Sequence, residues 1–123
     1  FGYLNKATTL YHLGQKDASA LTFDQAFAQY DTLSEEDRPW RVLWYRVEAY
    51  QAYFDTARYQ DVINLANATL SMLSKRGLEE SHYWRGMAYE TLGEREKAAF
   101  DYDIAVTLRP TFSEAQQALQ RMR

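Results

Sequence analysis

Two histidines, His12 and His82, and a few serines beside carboxylates are the side chains with the chemistry for metal binding or nucleophilic catalysis, and no cysteine accompanies them. A zinc-type site needs imidazoles, thiolates or carboxylates that converge, commonly one helical turn apart. Neither histidine has a second imidazole at that spacing, so no metal site is expected. Ser81 beside His82 suggests a nucleophile with its base, but neighbouring residues of a helix project about 100° apart. That pairing is accidental, and His82 is expected at the surface of a helix start. Ser34-Glu35-Glu36-Asp37 concentrates acid yet lacks the alternating ligands and turn glycine of a calcium loop, so it reads as a solvated segment capping a helix. No catalytic residue and no cofactor is nominated.

The aromatic side chains offer contact chemistry instead. Trp40, Trp44, Tyr45, Tyr50, Tyr53 and Phe54 crowd one stretch and would cover almost the whole circumference of a helix. A helix apolar all round is either buried or waiting for a partner. Tyr50 and Tyr53 are assigned to the core, facing a partner helix, whereas Trp44 and Phe54 suit core and partner contact equally.

These residues must be positioned by a chain of 123 residues, enough for one domain with a core of its own. Apolar residues make up 46% and charged residues 25%, with two prolines and five glycines, which excludes disordered, collagen-like and low-complexity classes. A net charge of −3 argues against nucleic acid as a partner. The longest apolar runs fall far short of the ~20 residues that span a bilayer, so no membrane insertion by this segment is expected. Phe1, Leu4, Thr8 and Tyr11 already lie at helical spacing with no capping residue ahead of them, so the chain reads as a piece of a longer protein.

Valine and isoleucine are scarce beside alanine, leucine, glutamate and glutamine, a balance that favours helix over sheet. Breaks at Gly14, at 34–39 with Pro39, at Thr56-Ala57-Arg58, at Gly77, at Gly93 and at Pro110 cut the chain into helices at 1–13, 16–32, 39–55, 59–73, 79–92, 95–108 and 112–122. The expected fold is therefore all-α: three antiparallel helix pairs (1–33, 39–73 and 79–110, the first two joined by a connector at 34–38) and a final helix closing the stack. Thr111-Phe112-Ser113-Glu114 has the form of a capping box that would start this last helix. Phe112, Ala115, Leu119 and Met122 then share its apolar face and Gln116, Gln117, Gln120 and Arg121 its wet one.

The pairs are alike in sequence. Gly14, Phe23 and Ala26 fall at the same spacing as Ala57, Ala66 and Thr69, and as Gly93, Tyr102 and Ala105. The third unit runs Tyr83-Trp84-Arg85-Gly86-Met87-Ala88-Tyr89, Leu92-Gly93, Ala98, Tyr102, Ala105 and Arg109-Pro110, and closely resembles the tetratricopeptide repeat signature. Gly86 and Ala98 would let two helices approach, Tyr89 and Tyr102 would fill the space beside them, and Gly93 would end the first helix in a left-handed conformation. Pro110 would stop the second. The first unit, with Ala7, Leu10, Gly14, Ser19, Phe23 and Ala26, matches more loosely, and the second departs most, with Tyr50, Tyr53, Val62, Ala66 and Thr69 at signature positions. Both intervals between units exceed the ~34-residue period, which places insertions in the connectors. In addition, 39–45, 59–63 and 79–86 resemble the repeat region that follows a papain-like, bacteriocin-processing-type cysteine peptidase domain in some bacterial cell-envelope proteins. That likeness implies an upstream catalytic domain and an extracytoplasmic or envelope location.

The tetratricopeptide resemblance implies a non-enzymatic scaffold that binds a peptide or partner domain in a groove lined by the first helix of each pair. Carried over by alignment, the lining is Leu4, Thr8, Tyr11 and His12, then Val47, Gln51, Phe54 and Asp55, then Tyr83, Met87 and Glu90, with Trp44 as a further contact. Chaperone-binding members hold a terminal carboxylate with lysine and asparagine. Here Leu4, Val47 and Tyr83 replace the lysine-type positions, and Thr8, Gln51 and Met87 the asparagine-type ones, so no carboxylate clamp is expected. The lining suits a segment with apolar anchors and a basic residue meeting Asp55 or Glu90. The alternative is a structural appendage that packs on a sister domain or forms a homodimer through the aromatic second repeat.

Overall fold

The computed structural model describes residues 2–31, 47–72 and 78–122 and places seven α-helices, and no strand, among them. They are α1 (Gly2–His12), α2 (Lys16–Asp31), α3 (Val47–Asp55), α4 (Tyr59–Met72), α5 (Leu78–Thr91), α6 (Arg95–Leu108) and α7 (Ser113–Arg121). The all-helical repeat architecture read from composition and periodicity is present. The connector at 34–38 and residues 39–46, with Trp40 and Trp44, lie outside the described residues. The chain divides into two compact units, 1–57 and 58–123.

In the first unit α1 and α2 form a hairpin around small residues. Ala7 and Ser19 are fully buried, and the Ser19 hydroxyl donates to the Ala7 carbonyl at 2.7 Å, so the helices meet over a satisfied polar contact. The turn between them is closed by Gly14 at φ +81°, whose N–H bonds the Tyr11 carbonyl while Gln15 N–H reaches back to Leu10. That is a Schellman ending, and glycine is there because its backbone enters the left-handed region without strain. Phe23 is fully buried and stacks on Phe27, and both rings pack against Tyr53 of α3. Tyr50 and Tyr53 are buried, as assigned, and the Tyr53 hydroxyl donates to Asp24 of α2 at 2.8 Å. Buried Ala49 and Ala52 complete the inner face of α3.

The second unit holds the more regular hairpin, α5 with α6. Gly86 faces the fully buried Tyr102: a Cβ built on Gly86 would stand 2.8 Å from Tyr102 Cε1 and 3.3 Å from the Ala98 carbonyl oxygen. The close crossing read from the sequence is therefore real. Gly93 at φ +84° ends α5 with the same pair of bonds as Gly14, from Gly93 N–H to Glu90 and from Glu94 N–H to Tyr89. At the corresponding position after α3 stands Ala57, at φ +62°, an alanine in a conformation that favours glycine.

The start of α7 corrects the expected capping box. Phe112 stands at the N-cap, with no side-chain cap bond, and Thr111 is left in an exposed turn. Phe112 is buried, its ring 5.0 Å from that of Tyr83 and 4.1 Å beneath the Arg109 guanidinium. Burying a phenylalanine gains about 1.5–3 kcal/mol, more than the ~1 kcal/mol of a threonine cap, so the ring sets where the helix begins. Ala115 and Ala118 are fully buried, and Leu119 and Met122 pack against the cluster of Ala98, Tyr102 and Ala118, so the apolar face read for this helix is laid on the preceding hairpin.

Candidate partner-binding faces

In the first unit the first helices of two pairs, α1 and α3, pack on each other, and polar bonds bridge them. The Tyr11 hydroxyl donates to Asp55 Oδ2 at 2.8 Å across 44 residues of sequence. Lys16 Nζ sits 3.2 Å from the same oxygen and 5.9 Å from the centre of the Tyr11 ring. Exposed His12 turns its edge to Tyr11 and stands 3.6 Å from Glu48. Burial pushes the Tyr11 hydroxyl up to about 12, with the bond to Asp55 and the Asp55 and Glu48 charges adding to it, so it remains a donor at any physiological pH. Thr8, Val47, Gln51 and Phe54 are half-buried on these helices, and Leu4 lies in α1. Of the nominated residues, the structure thus joins Tyr11 of α1 to Asp55 of α3 and sets His12 beside Glu48; Trp44 falls outside the described residues.

In the second unit Tyr83, Met87 and Glu90 form a stripe along α5, and α7 lies at its edge. Tyr83 is half-buried among Trp84, Tyr102 and Phe112. Burial raises its phenol above the ordinary value, and the Glu114 charge adds to this. Glu90 accepts the Tyr102 hydroxyl at 2.7 Å and an Arg121 nitrogen at 3.0 Å, both on Oε1. Its burial favours the neutral acid, but the bonds from Arg121 and Tyr102 outweigh that and hold the carboxyl below its usual range. Burial, and then the bond to Glu90, raises Tyr102 far above an ordinary phenol. The basic residue expected to meet Glu90 is supplied by the chain itself.

A second polar cluster escaped the sequence reading and corrects it. His82 is not a surface residue: its side chain is only 12% exposed, and Nδ1 lies 2.9 Å from Asp101 Oδ1. Asp101, fully buried on α6, also receives two bonds from Arg85, at 2.8 and 2.6 Å, and Arg85 continues to Asn67 of α4 at 2.9 Å. The buried acid outweighs solvent for His82 because His82 and Arg85, three residues apart, share the α5 face that meets α6. Asp101 with His82 has the outline of a catalytic base, but Arg85 grips the same carboxylate, and Ser81 points about 100° away round the helix. Beside this cluster a depression of about 300 Å³ is lined by Arg85, Tyr89, Glu96, Lys97, Phe100 and Asp101. Among the described residues no group of three or more histidines, cysteines or carboxylates is placed to hold a metal, and no helix is long and apolar enough to cross a membrane.

Comparison with known proteins finds a tetratricopeptide repeat at residues 79–112, the stretch that carries the Gly86–Tyr102 crossing. The mouse and rat proteins named aryl-hydrocarbon-interacting protein-like 1 are each 24% identical to this chain over 115 residues, which covers 86% of it. The chain spans about a third, 34%, of the length of these relatives.

Proposed function

We propose that this chain is a non-enzymatic protein–protein interaction module that holds a segment of a partner protein against the first-helix faces of its helix pairs. Tetratricopeptide repeats generally mediate protein–protein interaction and typically carry no catalysis of their own. The observation that carries the reading is the repeat at 79–112, with its small-residue crossing in place and the same arrangement of Ala7, Ser19, Phe23 and Gly14 in the first unit. The faces so built present half-buried aromatic, methionine and amide side chains, which suit a segment with apolar anchors rather than a terminal carboxylate. The peptidase-linked context expected from the sequence gains no support from the comparisons, and they do not address a homodimer through the aromatic second repeat, of whose aromatics Trp40, Trp44 and Tyr45 lie outside the described residues.

Panning a random peptide library on the intact chain tests this. Enriched peptides should bind at one shared surface and lose affinity about 5- to 100-fold on Phe54→Ala, the range of a typical hot-spot residue. Recovery of no competing peptide, or of peptides indifferent to Phe54, Gln51 and Met87 alike, refutes the proposal.

A further inference from the structure

The groove-side acids of the two units are neutralised in different ways. Glu90 is engaged on both oxygens by Arg121, 3.0 Å from Oε1 and 3.4 Å from Oε2, and the buried Tyr102 hydroxyl also bonds it. Arg121 is itself half exposed, but its guanidinium meets both oxygens of the acid from a helix seated on the core of its unit. Asp55 is held otherwise. The Tyr11 hydroxyl and the Lys16 ammonium both meet it at Oδ2. Lys16, at the first turn of α2, is a half-exposed point charge on a flexible stem without the two-oxygen grip of a guanidinium, and such a surface lysine pair is easily exchanged. With Lys16 removed from it, the face keeps two carboxylates, Glu48 and Asp55, beside the Tyr11 ring and the exposed imidazole of His12.

We propose that the α1–α3 face docks a basic segment of the partner, whose lysine or arginine side chain takes the place of Lys16 between the Asp55 carboxylate and the Tyr11 ring. Lys16 is then a resident stand-in that keeps the acid paired until the partner arrives. Charge complementarity selects the occupant: an acidic segment would meet Glu48 and Asp55 with repulsion, whereas a cation gains both a charged bond and the face of an aromatic ring. The Tyr11 hydroxyl, bonded to Oδ2, orients the carboxylate for this exchange. The inference rests on the interaction reading above and adds the chemistry of its partner.

Fluorescence anisotropy with the intact chain tests it, using a fluorescein-labelled peptide that alternates lysine with phenylalanine and leucine, and its counterpart with glutamate for each lysine. The basic peptide should bind and the acidic one should not. Lys16→Gln should tighten binding about two- to fivefold by removing the competitor. Asp55→Asn, which keeps an oxygen for Tyr11, should weaken it at least about fivefold and flatten its salt dependence. Lys16 is exposed, so its variant reports even if Asp55→Asn folds poorly. Equal binding of both peptides, no binding of the basic one, or Lys16→Gln that leaves affinity unchanged or lower overturns the proposal. Library peptides that depend on Phe54 while ignoring Asp55 and Lys16 would sink this inference and leave the interaction reading standing; failure of the panning as well would sink both.

Discussion

Replacing Gly86 with alanine pits two effects of opposite sign against each other. In a helix interior alanine is favoured over glycine by about 0.8–1.0 kcal/mol, so propensity alone predicts a more stable protein. The structure predicts the reverse. The new Cβ would lie 2.8 Å and 2.9 Å from two ring carbons of Tyr102 and 3.3 Å from the Ala98 carbonyl, against an optimal carbon–carbon separation of about 3.5–4.0 Å. Tyr102 cannot easily yield, because it is fully buried and its hydroxyl is pinned to Glu90 at 2.7 Å. Overpacking of this kind costs about 1–3 kcal/mol, which leaves a net loss of about 0–2 kcal/mol once propensity is subtracted. Urea unfolding followed by circular dichroism should show the midpoint fall for Gly86→Ala and fall further for Gly86→Leu, while Gln117→Leu on the exposed side of α7 changes little. In a Tyr102→Leu background, which lacks the outer ring carbon, the penalty should shrink by a coupling of about 0.5 kcal/mol or more. A Gly86→Ala protein more stable than the parent by the full propensity gain of about 0.8–1.0 kcal/mol would show that the helices do not cross there.

Asp101→Ala should cost about 3–5 kcal/mol in the same assay, since it strands the Arg85 guanidinium inside the unit; a loss under 1 kcal/mol would contradict the buried pairing. Because the Glu90 carboxyl is held below its ordinary range, its contribution is present above the unfolded value near 4.3 and fades as pH falls through the folded one. The stability gap between the parent and Glu90→Gln, measured by denaturation at neutral pH and again well below pH 4, should therefore close on acidification, and a constant gap refutes the assignment. Ala57→Gly should stabilise by about 0.5–1 kcal/mol by relieving a left-handed alanine, whereas Gly14→Ala and Gly93→Ala, whose added Cβ atoms meet nothing within 4 Å, should each cost a similar amount.

Local chemistry made much of this legible before any coordinates. Gly14 and Gly93 announce their turns because few other residues accept that backbone, and Gly86, Ala98 and Tyr102 announce a crossing because small and large residues must alternate there. What stayed hidden depends on distant parts of the chain. Thr111 has a good cap's side chain, but Phe112 finds a pocket beside Tyr83 and takes the position instead. His82 looks like a surface histidine until Asp101, 19 residues later, arrives beside it. Glu90 and Asp55 look like free anions until Arg121 and Lys16 are folded against them. Side-chain pairs such as Tyr11 with Asp55 have no periodic trace, and only the packing of α1 on α3 brings them together.

Site-specific photocross-linking tests most directly the claim that the first-helix faces hold a partner protein. A benzophenone amino acid would replace His12 or Gln51 on those faces, and, as controls, Leu21 or Phe100, which are 63% and 64% exposed on the second helices. Irradiation in cells expressing the chain should give a protein adduct from positions 12 and 51 that excess unlabelled chain suppresses, and none from 21 or 100. Adducts from 21 and 100 alone, or equally from all four, would contradict the account.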